Sequence, residues 1–231
     1  MIKQLTNFIS PQDCDKLIQI HSDKDFYEIR TNLAVFDQDG ESSKQDPDRF
    51  SEGKILRRDN PFVFNLLHKV SKILEVPYEN LESPMICRYE LNGEYGPHFD
   101  WVFRDEPLKE GNRIKTFMIY LNDDLGGGET FFPELKKKII PERGKAIFWW
   151  NANPNKLDEL NKKSLHCSLG ASKKNKYIFI VWAREKAYVD YEWKRYMENG
   201  RLRLPLIYEQ HENFLSKKLS QELIQNSSPL E

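Results

Sequence analysis

The sequence has only 3 cysteines in 231 residues, and Cys14, Cys87 and Cys167 form no CxxC pair. An odd, widely spaced set of this kind excludes a disulfide scaffold and points to a reducing, cytoplasmic setting. An excess of charge of one sign is also missing. Lys and Arg total 35 against 36 Asp and Glu, a net charge of -1. Neither nucleic acid nor an anionic membrane is therefore expected as a general partner, although Lys136-Lys137-Lys138 and Lys173-Lys174 form local basic patches. No apolar run reaches transmembrane length, and Met1-Ile2-Lys3-Gln4-Leu5 lacks the apolar core of a signal peptide. Internal repeats and low-complexity tracts are absent as well.

What is present suits one substantial core: 39% hydrophobic residues, 13% aromatic and 31% charged. A helix is expected within Asn7–Ser22, capped by Ser10 with Pro11 in the first position and Cys14, Leu17, Ile18 and Ile20 as a stripe. Phe26–Phe36 alternates loosely and reads as a strand, with Arg30-Thr31-Asn32 inside it. Asp37–Gly53 is polar and reads as a loop, a candidate lid over a bound substrate. Pro61–Leu74 carries Val63, Leu66, Leu67, Val70 and Leu74 at helical spacing.

From Pro84 the texture changes to short apolar runs between turn residues. Strands are expected at Met85–Leu91, His98–Phe103, Ile114–Asn122, Glu129–Phe132, Lys138–Ile140, Ala146–Trp150, Leu165–Leu169 and Lys176–Ala183. This is an α+β chain with a double-stranded β-helix (jelly roll) core. Residues 1–84 form an N-terminal helical support, 85–184 the core and 185–231 a C-terminal extension of one domain. Leu215–Ile224 reads as a helix in that extension, and Asn151–Lys163 as a polar insertion. Gly126-Gly127-Gly128 reads as a turn with no room for a side chain; no Gly-Lys-Ser/Thr follows, so it is not a phosphate loop.

The chemistry gathers at Tyr95-Gly96-Pro97-His98-Phe99-Asp100. On one strand His98 and Asp100 point the same way. With His166 they make a 2-His-1-carboxylate triad, which holds iron(II) and leaves positions open for a co-substrate and dioxygen. Cys167, next to His166, faces the other way. Singly, each residue has an ordinary reading, a hydrogen-bonded core histidine or a turn aspartate; their joint order carries the inference. Lys176 shares a face with Ile178, Ile180 and Trp182, and a buried lysine needs an anion. A dicarboxylate chelating the metal at its other end meets that need, and Tyr89 and Tyr120 can add hydroxyl donors to it.

These residues also resemble a known family. Arg88-Tyr89-Glu90-Leu91-Asn92-Gly93-Glu94-Tyr95-Gly96-Pro97-His98-Phe99-Asp100 is similar to the metal-binding segment of prolyl 4-hydroxylases, iron(II)- and 2-oxoglutarate-dependent dioxygenases. Gly127-Gly128-Glu129-Thr130-Phe131-Phe132-Pro133-Glu134, Gly144-Lys145-Ala146-Ile147-Phe148-Trp149-Trp150-Asn151 and His166…Asn175-Lys176…Trp182 extend the resemblance, which covers about Asn7 to Arg184. It implies His98, Asp100 and His166 as catalytic iron ligands. It further implies Lys176, Tyr89, Tyr120 and Thr130 around 2-oxoglutarate, and Tyr95, Arg113, Trp182, Arg30 and Glu82 around a proline-containing peptide or protein. Dioxygen would be split between succinate and prolyl C4, with ascorbate rescuing oxidised iron. Two departures stand out: Arg184 replaces a histidine two positions after the tryptophan, and Gly170-Ala171 replaces a Pro-Val pair. A related oxygenase acting on another residue or a free amino acid is the near alternative. A zinc hydrolase, which leaves Lys176 unexplained, and a non-catalytic jelly-roll binding module are the distant ones.

Overall fold

The computed structural model describes residues 2–22, 29–31, 51–58, 60–103 and 108–188, with 29–31 described by their backbone alone. All lie within one compact unit, Met1–Val189. No helix among the described residues is long and apolar enough to cross a membrane.

The strands, in chain order, are β1 (Lys3–Leu5), β2 (Ile29–Thr31), β3 (Ser51–Ile55), β4 (Met85–Tyr89), β5 (Tyr95–His98), β6 (Arg113–Tyr120), β7 (Thr130–Phe132), β8 (Lys137–Ile139), β9 (Ala146–Trp150), β10 (Ala152–Asn153), β11 (Lys156–Leu160), β12 (His166–Ser168) and β13 (Lys176–Arg184). They build a seven-stranded sheet in the order β1-β9-β6-β13-β4-β3-β2, a four-stranded sheet β5-β12-β7-β8, and the small hairpin β10-β11. Every pairing is antiparallel. Apart from the β10-β11 hairpin, the strands from 85–184 divide between the two larger sheets, which gives the core its jelly-roll-like form.

The period of two in each long strand decides which face a side chain serves. On β13, Phe179, Val181 and Ala183 join the cluster that meets the helices, while Ile178, Ile180 and Trp182 join the other. On β6, Phe117 and Ile119 face the helices, and Met118 and Tyr120 the inner space. Helix α1 (Pro11–Ser22) starts where the Asp13 amide donates to Ser10 Oγ at 3.1 Å, and it buries Cys14 and Leu17. Helix α2 (Pro61–Leu74) is capped by Asn60, whose side chain accepts the Phe62 and Val63 amides, and it buries Val63, Leu66, Leu67, Val70 and Leu74. The helices thus take one face of the large sheet, and the other is left for chemistry. The three cysteines are unpaired and buried.

Several expectations need correction. The strand expected over His98–Phe103 is displaced: β5 ends at His98, and Asp100 lies in a bend beyond it. The supposed loop Asp37–Gly53 contains strand residues, because Ser51–Gly53 open β3, which is paired on both sides. Its remainder, 37–50, lies outside the described residues, as does the helix expected at Leu215–Ile224. Of Phe26–Phe36, Ile29–Thr31 is a strand. The insertion after Asn151 folds as the β10-β11 hairpin and a short 3-10 turn, Lys162–Ser164. The glycine turn is tight for the reason expected. Gly127 has φ +123°, and a Cβ there would sit 2.5 Å from the Gly170 carbonyl oxygen.

Candidate active site

His98 on β5 and His166 on β12 are direct cross-strand partners, with ring centroids 4.3 Å apart. Asp100 completes the group from its bend. His98 Nε2 lies 3.9 Å from Asp100 Oδ1, and His166 Nε2 lies 3.7 Å from Asp100 Oδ2. These distances are too long for hydrogen bonds. They are the spacing of donors gathered around a common point, one ligand atom from each residue lying within 4.8 Å of the others. Among the described residues no other group of His, Cys, Asp or Glu gathers this way, and Cys167 takes no part.

Both rings are held in the same manner. His98 Nδ1 is 2.8 Å from the Gly96 carbonyl oxygen, and His166 Nδ1 is 2.9 Å from that of Ser164. A carbonyl oxygen only accepts, so each Nδ1 carries the proton and each Nε2 is the nitrogen that presents a lone pair to the common point. Phe132 and Trp149 enclose the His166 ring, at centroid distances of 5.6 and 4.9 Å. Tyr95 stacks on His98 at 3.7 Å. The His98 side chain keeps 20% of its surface exposed against 5% for Asp100, so the site opens on the His98 side.

Asp100 is itself anchored. The Thr116 hydroxyl donates to Asp100 Oδ2 at 2.6 Å, and Asn151 Nδ2 donates to Thr116 Oγ1 at 2.8 Å. Burial pushes the Asp100 carboxyl up; His166, His98, the Thr116 hydroxyl and Arg113 outweigh it and hold the group below its ordinary value.

Lys176, 1% exposed, lies at the start of β13 between Tyr89 and Tyr120, its Nζ 5.3 and 5.7 Å from their ring centroids. It donates to Ser168 Oγ at 2.8 Å. Ser168 is two residues beyond His166, about 7 Å along β12. Ser168 pairs across the sheet with Thr130, whose Oγ1 accepts from the Tyr120 hydroxyl at 2.7 Å. Lys176, Tyr89, Tyr120 and Thr130 therefore meet as the sequence predicts. Burial pushes the ammonium down to about 7, with Glu129 the largest influence in the other direction.

Arg113 binds Glu82 through two hydrogen bonds, of 2.7 and 2.8 Å, and lies 3.7 Å over the Trp182 ring. Glu82 also accepts from Arg184 Nε at 2.6 Å, while Arg184 NH1 donates to the Gly111 carbonyl at 3.0 Å. Burial would raise the Glu82 carboxyl, but Arg113 and then Arg184 hold it low. Glu82, Arg113 and Trp182 thus form one cluster, with Glu82 buried as the anchor of two guanidiniums. Arg30 is on the backbone of β2, and its side chain lies outside the described residues.

Sequence reasoning missed Thr116, Asn151 and Ser168. Thr116 and Ser168 carry no motif signal, since Thr and Ser on strands are common; Asn151 closes the Gly144–Asn151 motif but becomes a neighbour of Thr116 only through the pairing of β6 with β9. A signal for Ser168 did exist: it is the residue two on from His166 and therefore on the same face.

Two imidazoles and one carboxylate, each oriented by a second partner, fit an iron(II) ion with positions to spare. Comparisons with known proteins agree. Residues 84–184 match the 2OG-Fe(II) oxygenase superfamily. Prolyl 4-hydroxylase subunit alpha-1 of Bos taurus is 30% identical over 133 residues, 55% of this chain and 24% of that protein. Prolyl 4-hydroxylase 5 of Arabidopsis thaliana is 29% identical over 197 residues, 76% of this chain and 65% of that protein. The chain thus spans about a quarter of the first of these relatives and about two thirds of the second. The 2OG complex of the viral collagen prolyl hydroxylase from Paramecium Bursaria Chlorella virus-1 superposes with a TM-score of 0.63 at 28% identity, covering 79% of this chain and 95% of that one. Sequence match and fold converge: over residues 84–184 the chain is similar to the 2OG-Fe(II) oxygenase superfamily, and the relatives and the solved structure it resembles are prolyl hydroxylases.

Proposed function

We propose that the protein is an iron(II)- and 2-oxoglutarate-dependent dioxygenase that 4-hydroxylates prolyl residues in a peptide or protein. The observation that carries this is a buried lysine in the same inner space as a buried His-Asp-His group. A lone buried ammonium is costly unless an anion meets it, and a dicarboxylate that reaches from Lys176 to the triad meets it.

His98, Asp100 and His166 would hold iron(II), which when bound supplies the activation of dioxygen. Lys176 and the Tyr120–Thr130 pair receive the far carboxylate, and Ser168 keeps the ammonium oriented until it arrives. Phe132 and Trp149 keep water from the inner side of His166. The net reaction places one oxygen atom in succinate as carbon dioxide leaves and the other at a prolyl C4 as hydroxyl. The open side, lined by Tyr95, Arg113 and Trp182, receives the peptide. Trp182 Nε1 is buried with no hydrogen-bond partner among the described residues, which suits it to donate to a substrate carbonyl.

Mass spectrometry of proline-rich peptides incubated with enzyme, iron(II), 2-oxoglutarate and ascorbate tests this. One oxygen added per hydroxylated proline, with stoichiometric succinate, is the expected result. Oxygen on another residue or on a free amino acid, with none on prolyl groups, assigns the chain to a related oxygenase instead.

A further inference from the structure

The segment from Asn151 to Ser164 begins and ends on residues that hold the metal triad. At its start, Asn151 Nδ2 donates to Thr116 Oγ1 at 2.8 Å, and Thr116 donates to Asp100 Oδ2 at 2.6 Å. At its end, the Ser164 carbonyl oxygen lies 2.9 Å from His166 Nδ1. Asn161 ties the two ends together. Its amide N–H donates to the Asn151 carbonyl at 2.8 Å, its Nδ2 to the Trp150 carbonyl at 2.8 Å, and its own carbonyl accepts from Ser164 Oγ at 2.7 Å.

The direction of the chain into Asp100 follows from donor chemistry. An ionised carboxylate only accepts, so the single Thr116 hydroxyl proton goes to Asp100. Thr116 Oγ1 is then an acceptor toward Asn151, which must present its amide nitrogen. Both Thr116 and Asn151 are 0% exposed, so the order of donors is fixed inside the protein. Asp100 needs such a fixture. It lies beyond the end of β5, where strand pairing no longer sets its direction.

We propose that Thr116, itself oriented by Asn151, is a positioning residue that holds Asp100 in the one orientation able to bind metal, and that the 151–164 segment braces Asp100 and His166 together. The inference rests on the metal reading of the triad. It gives the insertion a purpose: one short stretch sets two ligands, one in the bend after β5 and the other on β12.

The test is anaerobic titration of the full chain with Co(II), followed by calorimetry and by the visible bands of the bound ion, with no turnover involved. Removing an outer partner of a metal ligand lowers affinity by about 10–100-fold, and that loss is expected for Thr116→Val. Thr116→Ser, which keeps the hydroxyl, should restore both the affinity and the bands. Wild-type protein that takes up no Co(II) would overturn the metal reading itself. Wild-type uptake with an unchanged Thr116→Val affinity, or a loss that Thr116→Ser does not repair, would overturn the positioning role alone. Should valine abolish the melting transition, Thr116→Ala carries the same comparison.

Discussion

Burial between Tyr89 and Tyr120 pushes the Lys176 ammonium down to about 7 from 10.5. In the unfolded chain the lysine keeps its proton up to 10.5, so below about pH 7 the folded, co-substrate-free protein bears the full cost of a buried charge. That cost fades as pH rises from 7 toward 10.5. Lys176→Met should therefore raise the melting temperature of the protein without co-substrate, most at pH 7 and below, while raising the 2-oxoglutarate requirement by about 100-fold, the worth of a charge-assisted hydrogen bond. Differential scanning calorimetry and steady-state kinetics check the two halves; a variant that is both less stable and unimpaired would contradict them. The same linkage predicts that 2-oxoglutarate affinity falls about tenfold per pH unit above 7, because the carboxylate needs the protonated amine. Titration of wild type and Lys176→Met across pH 6.5–9 should show that slope in the first and not in the second. Lys176, His98, Asp100 and His166 were legible in the sequence because each stands against its surroundings: a charge opening an apolar strand, or a ligand type repeated at strand spacing. Thr116 and Asn151 do not stand out, because a hydroxyl and an amide acquire their meaning only from partners 16 and 35 positions away.

Most strands of the core read directly as short apolar runs between turn residues, with β5 misplaced, and α2 runs over Pro61–Leu74 as its stripe and Asn60 cap dictate. What escaped notice lacks such patterns. Strand β1, Lys3–Leu5, is a sheet edge with exposed Lys3 and Gln4 and a half-buried Leu5; β11, Lys156–Leu160, is exposed or half-buried throughout. The first three residues of β3, Ser51–Gly53, read as the end of a polar loop because they are Ser, Glu and Gly. Lys54 of the same strand is nevertheless buried, its Nζ donating to the Ile20 and His21 carbonyls at the end of α1. That arrangement is a tertiary decision, in which a cation satisfies a helix C-terminus. Helix α2 supports the large sheet from the face opposite the chemistry. Leu67→Ala, at a 0% exposed position, should cost ~2–5 kcal/mol in urea unfolding. At temperatures where the variant remains folded, kcat should stay close to wild type. A large kcat loss in folded protein would mean that the two faces are coupled more tightly than their separate clusters indicate.

The whole molecule divides its labour across one sheet. Helices and aliphatic side chains fill one face, where Lys54 meets the end of α1, and the buried carboxylates Glu82 and Asp100 lie away from that face. Glu82 and Asp100 are both held below their ordinary values of 4.5 and 3.8. Their contribution to stability is therefore complete above about pH 4.5 and is lost as pH falls, since the unfolded chain takes up protons first. Glu82→Gln should cost about 3 kcal/mol at pH 7 by leaving the half-buried Arg113 and the buried Arg184 short of a counter-charge, and should flatten the acid limb of a melting-temperature profile. An unchanged acid limb would remove Glu82 from that role. Above all of this stands the claim that His98, Asp100 and His166 hold iron(II) beside a dicarboxylate anchored on Lys176. Anaerobic addition of iron(II) to the protein with 2-oxoglutarate tests it most directly. A visible metal-to-ligand charge-transfer band that saturates at one iron per chain, and is missing in folded His166→Ala, is the predicted result; folded wild-type protein that gives no band would contradict the account.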